Sequence, residues 1–389
     1  MSLRADVEAL AAIERRSASA GERASGDWVR SRLERAGAVG VETDRFRYQH
    51  TFAHAQGLHF AAGLAAAMLG GKRGTALGLA ALASLDAEFS GRSQWLRRFL
   101  PAGEGTNVSA RIPARAERRR TLVLVAHHDA AHTGLMWSPR LAAAGERRAA
   151  ATDAVASYAG LPEAALGLVA AGSLTGRRAS RVIGSAVLAT ALALVVDQAR
   201  GETVPGASDN ATGVAAMLAL VERIAEQPLT GTEVIALAPG CEESGMGGMA
   251  AWLASHRAGL DPATTLVLGL DTLGAGRPTV VSGEGGLRTT RYREQDLMLV
   301  DSAADRAGLP RPRRFRIGGW TDPALALFAG LPAVSLASTA PGGFTNYHVP
   351  SDTPERVDWA SVESCIALAG AVAEEWAAGV PGSPRRPRA

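Results

Sequence analysis

Between Pro205 and Trp252 the chain alternates apolar segments with acidic hand-overs, a pattern few folds accommodate. It reads P-G-A-S-D-N-A-T-G-V-A-A-M-L-A-L, then T-E-V-I-A-L-A, then P-G-C-E-E-S-G-M-G-G. Asp209 stands where a loop passes into an apolar helix, and Glu242 and Glu243 stand where a strand ends in glycines. Adjacent carboxylates repel, so such a pair in an apolar setting calls for a cation. Two more strand-like runs end the same way: L-V-L-V-A-H-H-D carries His127 and Asp129, and L-V-L-G-L-D carries Asp271. Near the C-terminus F-T-N-Y-H-V-P-S-D-T adds His348. Imidazoles and carboxylates gathered at strand ends are ligands for divalent metals, chiefly zinc.

The same alternation organises the flanks. Strands are expected over 121–126, 233–238 and 264–270, with helices over 214–225 and 248–256 between them. This order predicts a three-layer α/β/α fold around a mostly parallel, mixed sheet. Ligands of such sheets bind beyond the carboxyl ends of the strands, where His127, Glu242, Glu243 and Asp271 fall. Residues 7–37 read as two helices, V-E-T-D-R-F-R-Y as an edge strand, 279–282 as a strand, and 295–307 and 359–378 as helices.

Two apolar runs interrupt this pattern, over 52–85 and 162–196, each split by basic residues: Lys72 and Arg73 in the first, Arg177, Arg178 and Arg181 in the second. Each limb is nearer fifteen residues than twenty, short for a perpendicular membrane span. Two readings follow, a four-helix cap in water or contact with a bilayer. Arg92, Arg97, Arg98, Arg147 and Arg148 flank the hairpins at the other end, so charge placement favours neither. The expected division is a catalytic domain built from 1–51, 102–129 and 204–380, hairpin insertions at 52–101 and 130–203, and a disordered basic tail at 381–389.

Composition narrows the function. Two cysteines, Cys241 and Cys365, rule out a disulfide framework and a cysteine-rich zinc finger. The net charge of +3 comes from arginines spread along the chain, with no basic stripe interleaved with aromatics, so no nucleic-acid partner is expected. The first residues, M-S-L-R-A-D-V-E-A-L, hold no cationic segment leading into an apolar core. A cytoplasmic protein is expected, with attachment to the cytoplasmic membrane through the hairpins as the alternative.

A-H-H-D, G-A-S-D-N-A-T-G, E-E-S-G-M-G-G, L-D-T-L-G and Y-H-V-P-S-D-T, in that order, resemble the metal-binding blocks of metallopeptidase family 28, the two-zinc aminopeptidases. The resemblance implies a zinc-exopeptidase-like fold and two divalent ions, most simply Zn2+, bridged by Asp209. His127 and Asp271 would complete one ion, Glu243 and His348 the other. Glu242 would be the general base and Asp129 would orient His127. The implied activity is hydrolysis of N-terminal peptide bonds by a metal-bridged hydroxide, with a peptide as substrate. A one-metal acyltransferase of the glutaminyl-cyclase kind, and a non-catalytic membrane-associated member of the same fold, are the alternatives.

Plainer readings stand beside these. Alone, His127 reads as a core histidine and Asp209 as a helix N-cap. His128 points to the opposite side of an extended backbone and reads as packing. His132 reads as a loop residue, and His50, His54 and His59 as interfacial. The glycines after Glu243 are followed by no lysine, which argues against a phosphate loop. Cys241 reads as a small buried side chain, and Trp320, Phe344 and Tyr347 as either pocket or core. Met249 and Pro323 depart from the family pattern, and Pro323 weakens any role for Asp322.

Overall fold

The computed structural model describes residues 2–138, 141, 151–154 and 160–379; the tail expected at 381–389, together with Arg147 and Arg148, lies outside them. Strands β1 (Val39–Tyr48), β2 (Gly103–Ile112), β3 (Arg115–Val125), β4 (Thr230–Ala238), β5 (Thr265–Leu270), β6 (Arg277–Glu284), β7 (Thr290–Arg291), β8 (Arg313–Ile317) and β9 (Ala333–Thr339) form one sheet. Their order is β1-β2-β4-β3-β5-β9-β6-β7, with β8 paired to β6. The middle of the sheet is parallel: β3 pairs with β4 and β5, and β5 with β9. These strands read as unbroken apolar runs because both their faces are covered. The flanks, β1 on β2, β2 on β4 and β6 on β9, are antiparallel.

Helices α1 (Leu3–Ala11), α2 (Ala20–Arg35), α3 (Ala53–Leu69), α4 (Gly71–Phe89), α5 (Gly160–Thr175), α6 (Arg178–Arg200), α7 (Thr212–Glu226), α8 (Gly247–His256), α9 (Glu294–Arg306), α10 (Asp322–Phe328) and α11 (Trp359–Ala378) complete the described chain. The step from β3 to β4 moves one way along the sheet and the step from β4 to β5 moves the other way. Right-handed crossovers taken in opposite directions place α7 and α8 on opposite faces. Helices α1 and α11 pack alongside α7 and α9 packs on α11, while α10 packs with α8. The result is the mixed three-layer fold expected, and its ligand-bearing loops sit where the crossover direction reverses.

Two strands join those expected, and one expectation needs correction. The strand β8, R-R-F-R-I, was not anticipated: its charged residues hide the fact that only Phe315 and Ile317 turn inward. The segment A-V-S-L-A-S-T is the wholly buried strand β9. The apolar limbs are longer than fifteen residues, at 17, 19, 16 and 23, because the helices run on through their flanking polar residues.

Helices α3 to α6 form a four-helix bundle with its own core, in which Phe60, Leu85, Leu166, Val169 and Leu188 are buried. The helices meet through glycines. A Cβ on Gly63 would lie 2.4 Å from Leu166 Cδ2 and 2.6 Å from Leu188 Cδ1. Both leucines are fully buried and cannot withdraw. Gly63→Ala should therefore cost about 1–3 kcal/mol by overpacking, read as a lowered thermal unfolding midpoint, with metal binding unchanged.

Candidate metal centre

The site grows from four neighbouring strand ends. His127 follows β3, Glu242 and Glu243 follow β4, Asp271 is the residue after β5, and His348 lies in the loop after β9. Asp209 comes from the turn that opens α7, in non-helical backbone. The cap of that helix is Ala211, so Asp209 does not serve as an N-cap. Five side chains expected to share a pocket do so: His127, Asp209 and Asp271 form one group and Asp209, Glu243 and His348 another, with ligand atoms in each group within 4.8 Å of one another.

Asp209 divides its two oxygens between the groups. Its Oδ1 lies 3.3 Å from His127 Nε2 and its Oδ2 lies 3.1 Å from His348 Nε2. Asp271 Oδ1 is 3.9 Å from His127 Nε2, and Glu243 Oε2 is 3.1 Å from His348 Nε2. Glu242, the neighbour of Glu243, reaches to 4.0 Å from His127 Nε2 without joining either group.

A buried scaffold fixes these positions. Asp352 accepts from the backbone N–H groups of Ser208 at 2.8 Å and Asp209 at 3.1 Å. The fully buried Arg15 donates to the carbonyls of Pro205 and Gly206 at 2.5 and 2.6 Å. Gly206 has φ +60, and a Cβ there would meet Asp209 O at 2.5 Å, so this turn admits only glycine comfortably. Asn210 donates to Leu270 O at 2.9 Å and accepts from Thr272 N at 3.1 Å, which ties the Asp209 turn to the end of β5 and so to Asp271.

Asp129 is the hinge of the acidic loop. It accepts from Glu242 N and Glu243 N, both at 3.1 Å, and from Ser17 Oγ at 2.7 Å. Its Oδ1 is 3.4 Å from His127 Nδ1. One carboxylate thus orients the imidazole and both glutamates. Glu22 supports the other side of that loop, accepting from Ala18 N, Thr106 N and Cys241 N. Burial, with the charge of Asp129 added, pushes the Glu22 carboxyl up to about 8.

The electrostatics are those of a pocket short of positive charge. Burial and the neighbouring acids Asp322, Glu243 and Asp271 hold Glu242 well above the usual carboxylate range, although His127 opposes this. Burial pushes Glu243 up to about 7 against the pull of His348. His348 moves the other way: burial opposes its charge, yet Glu243 and Asp209 raise it to about 10. Asp209 is held below the usual range, because its two histidines outweigh burial. Asp322 is buried beside these acids and rises to about 8, by burial and then by Asp129, Asp271 and Glu284 against His127.

The residues fit a divalent metal on two counts. Buried acids crowd together there, with the imidazoles of His127 and His348 and the guanidinium of Arg15 to offset them. Both ring nitrogens of His127 and Oε1 of Glu243 are buried without a hydrogen-bond partner among the described residues. Oxygen and imidazole donors suit zinc.

The remaining histidines follow the plainer readings. His128 lies between Ser25 Oγ at 2.7 Å and Thr106 O at 2.9 Å, and His132 Nδ1 is 2.9 Å from Gly201 O. His59 is buried against Ser84 rather than interfacial. Cys241 is buried with its thiol on Glu22. Trp320, Phe344 and Tyr347 line a cavity of about 630 Å³ that also contains Asp209, Glu242, Glu243, Asp271 and His348. Tyr347 stacks on His348 with ring centroids 3.8 Å apart, and Trp137 meets the same ring edge-on at 4.5 Å.

Asp129→Asn leaves the fold intact but places an amide N–H against the donors it now accepts from. Metal affinity should fall about 10–100-fold, measured by competition with a chelator.

The sequence model described as Peptidase family M28 matches residues 195–373. That segment holds Asp209, Glu242, Glu243, Asp271 and His348, while His127 and Asp129 reach the site from outside it. No curated protein matches the chain. Solved structures share its fold: an aminopeptidase from Aneurinibacillus sp. strain AM-1 is 13% identical with TM-score 0.57, covering 95% of this chain and 92% of that one. A zinc aminopeptidase from Bacillus subtilis is 13% identical with TM-score 0.56, covering 96% and 93%. A glutaminyl cyclase from Bacteroides thetaiotaomicron, bound to N-acetylhistamine, is 12% identical with TM-score 0.54, covering 96% of each.

Proposed function

From the match of residues 195–373 to the model of peptidase family M28, we propose that the chain is a two-metal aminopeptidase of that family. The observation that carries this reading is the pair of triads meeting on Asp209, one oxygen toward each imidazole. His127, Asp209 and Asp271 would hold one ion, and Asp209, Glu243 and His348 the other. Zinc is the metal the donor set favours. Two such ions, when bound, polarise a scissile carbonyl and make a water acidic enough to be a nucleophile near neutral pH.

The chain's own residues supply the rest. Glu242 faces the cavity beside both triads, and its raised proton affinity suits a group that takes a proton from the attacking water and returns it to the departing amine. Asp129 keeps that carboxylate in place through the backbone N–H of Glu242. Much of the cavity's lining is apolar, with Leu161, Val281, Ile317 and Phe344 among its residues. It suits a peptide whose first side chain is apolar.

A single-metal acyltransferase needs only one of the triads. The second triad favours the hydrolase, and metal stoichiometry separates the two: two ions per chain support the peptidase, one ion the transferase. Glu242→Gln should keep its metal and lose about 10²–10⁴-fold in turnover of a leucyl anilide. Unchanged turnover would reject the assignment of the base. A chelator should abolish wild-type activity, and added zinc should restore it.

Metal uptake should also release protons. His348 in the metal-free protein is pushed up to about 10 by Glu243 and Asp209 against the effect of burial, so it is protonated at neutral pH, while a ligand imidazole must be neutral. Affinity therefore rises with pH. Calorimetry in buffers of different ionisation enthalpy reads the released proton directly.

A further inference from the structure

We propose that the bundle of α3 to α6 is embedded tip first in a lipid bilayer. A four-helix bundle in water turns its apolar stripe inward and its polar face out. This one has an apolar core and is apolar on its outer surface as well. Leu58, Met68, Leu79, Leu174, Ile183 and Val196 are exposed on its four helices, whereas Gln56, His59, Ser173 and Gln198 are buried. His59 spends both ring nitrogens inside the bundle, on Ala55 O at 2.7 Å and Ser84 Oγ at 2.8 Å. No Asp, Glu, Lys or Arg occurs in 55–69, 74–85, 164–175 or 182–196.

The longest helix settles which kind of apolar helix this is. Helix α6 is apolar and long enough to cross a membrane, yet only 17% of its most apolar 18 residues are buried. A core helix of a soluble protein would be mostly covered. Its 23 residues span about 34 Å at 1.5 Å each, against a hydrocarbon thickness of about 30 Å. Lys72 and Arg73 in the first turn of α4, and Arg177 just beyond α5, can snorkel to the interface beside the shorter helices.

The charges fall where headgroups would meet them. Lys72, Arg73, Arg177 and Arg178 are exposed at the hairpin tips, and Arg181 caps α3 through Ala67 O at 3.0 Å. At the other end the exposed Trp95 and Phe99 form an edge-to-face pair with centroids 6.4 Å apart, beside the exposed Arg98. Aromatic and basic residues of this kind anchor a protein at the interface. The helices also approach through small residues, Gly63, Gly74, Gly78 and Gly184, each with a neighbouring atom within 3.2 Å of a Cβ placed there. Helices in lipid associate by such close packing. A second copy of the chain could cover one side of the bundle, but all four helices expose apolar residues, and only lipid surrounds every side.

The test uses the full chain expressed in bacteria. Membranes are washed with high salt and then alkaline carbonate, and wild type is labelled with a lipid-soluble carbene probe. The chain should stay in the pellet, dissolve only in detergent, and carry label within 182–196. The exposed double substitution Leu79→Glu with Ile183→Glu should lower retention, by roughly a hundredfold per charge placed in hydrocarbon. Should that variant misfold, labelling of wild type decides. Recovery of wild type in detergent-free buffer or in the salt or carbonate wash, as monomer or dimer, overturns the proposal. So does a pellet whose 182–196 peptides escape the probe, since that marks aggregation.

Discussion

Asp209 lies between two histidines with one oxygen for each, and the rest of the catalytic half is arranged to make that contact hold. Asp129, Glu242, Glu243, Asp271 and Asp322 crowd round it, and burial denies them the water that would screen their repulsion. Cations that bind here stabilise the folded chain by mass action. The surroundings act on the backbone rather than on the ligands themselves: Arg15 on two carbonyls, Asp352 on two amides, Asp129 on two more. Positive φ at Cys241, Thr272 and His348 shows the strain gathered in the loops that carry the ligands.

How much of this could be read from sequence depended on distance along the chain. His127, Glu242, Glu243 and Asp271 announced themselves because each follows an apolar strand with a residue an apolar run does not need. Strands β3, β4 and β5 were legible for the same reason. Strand β8 was not, since Arg313, Arg314 and Arg316 mask an inward side defined by two residues. Arg15, Glu22 and Asp352 went unremarked as supports. Arg15 meets Pro205 and Gly206 across 190 and 191 positions, and nothing local distinguishes it from the neighbouring arginine. Glu22 sits in a helix whose composition looks solvent-facing, and its partners at Thr106 and Cys241 are visible only once the sheet has formed.

Two cores coexist under opposite rules. Around the sheet, charge lies outside and exceptions are paired, as with Arg32 and Asp6, whose nitrogen and oxygen are 2.8 Å apart at 2% and 3% side-chain exposure. In the bundle, Gln56, His59, Ser173 and Gln198 are inside, and between the basic tips and the sheet the outer surface is largely apolar. The apolar exterior explains why periodicity could mark the bundle helices yet not orient them: a helix apolar on every side has no preferred face.

The ligands come from distant parts of the chain, and their order has a consequence for biosynthesis. A ribosome that has delivered Asp271 has already supplied His127 and Asp209, so the first of the two triads is complete while over a hundred residues of this sequence remain to be made. The other set waits for His348. A metal held by the first triad could bind before the polypeptide is finished, whereas one held by the second would require that β9 and the loop after it have taken their places.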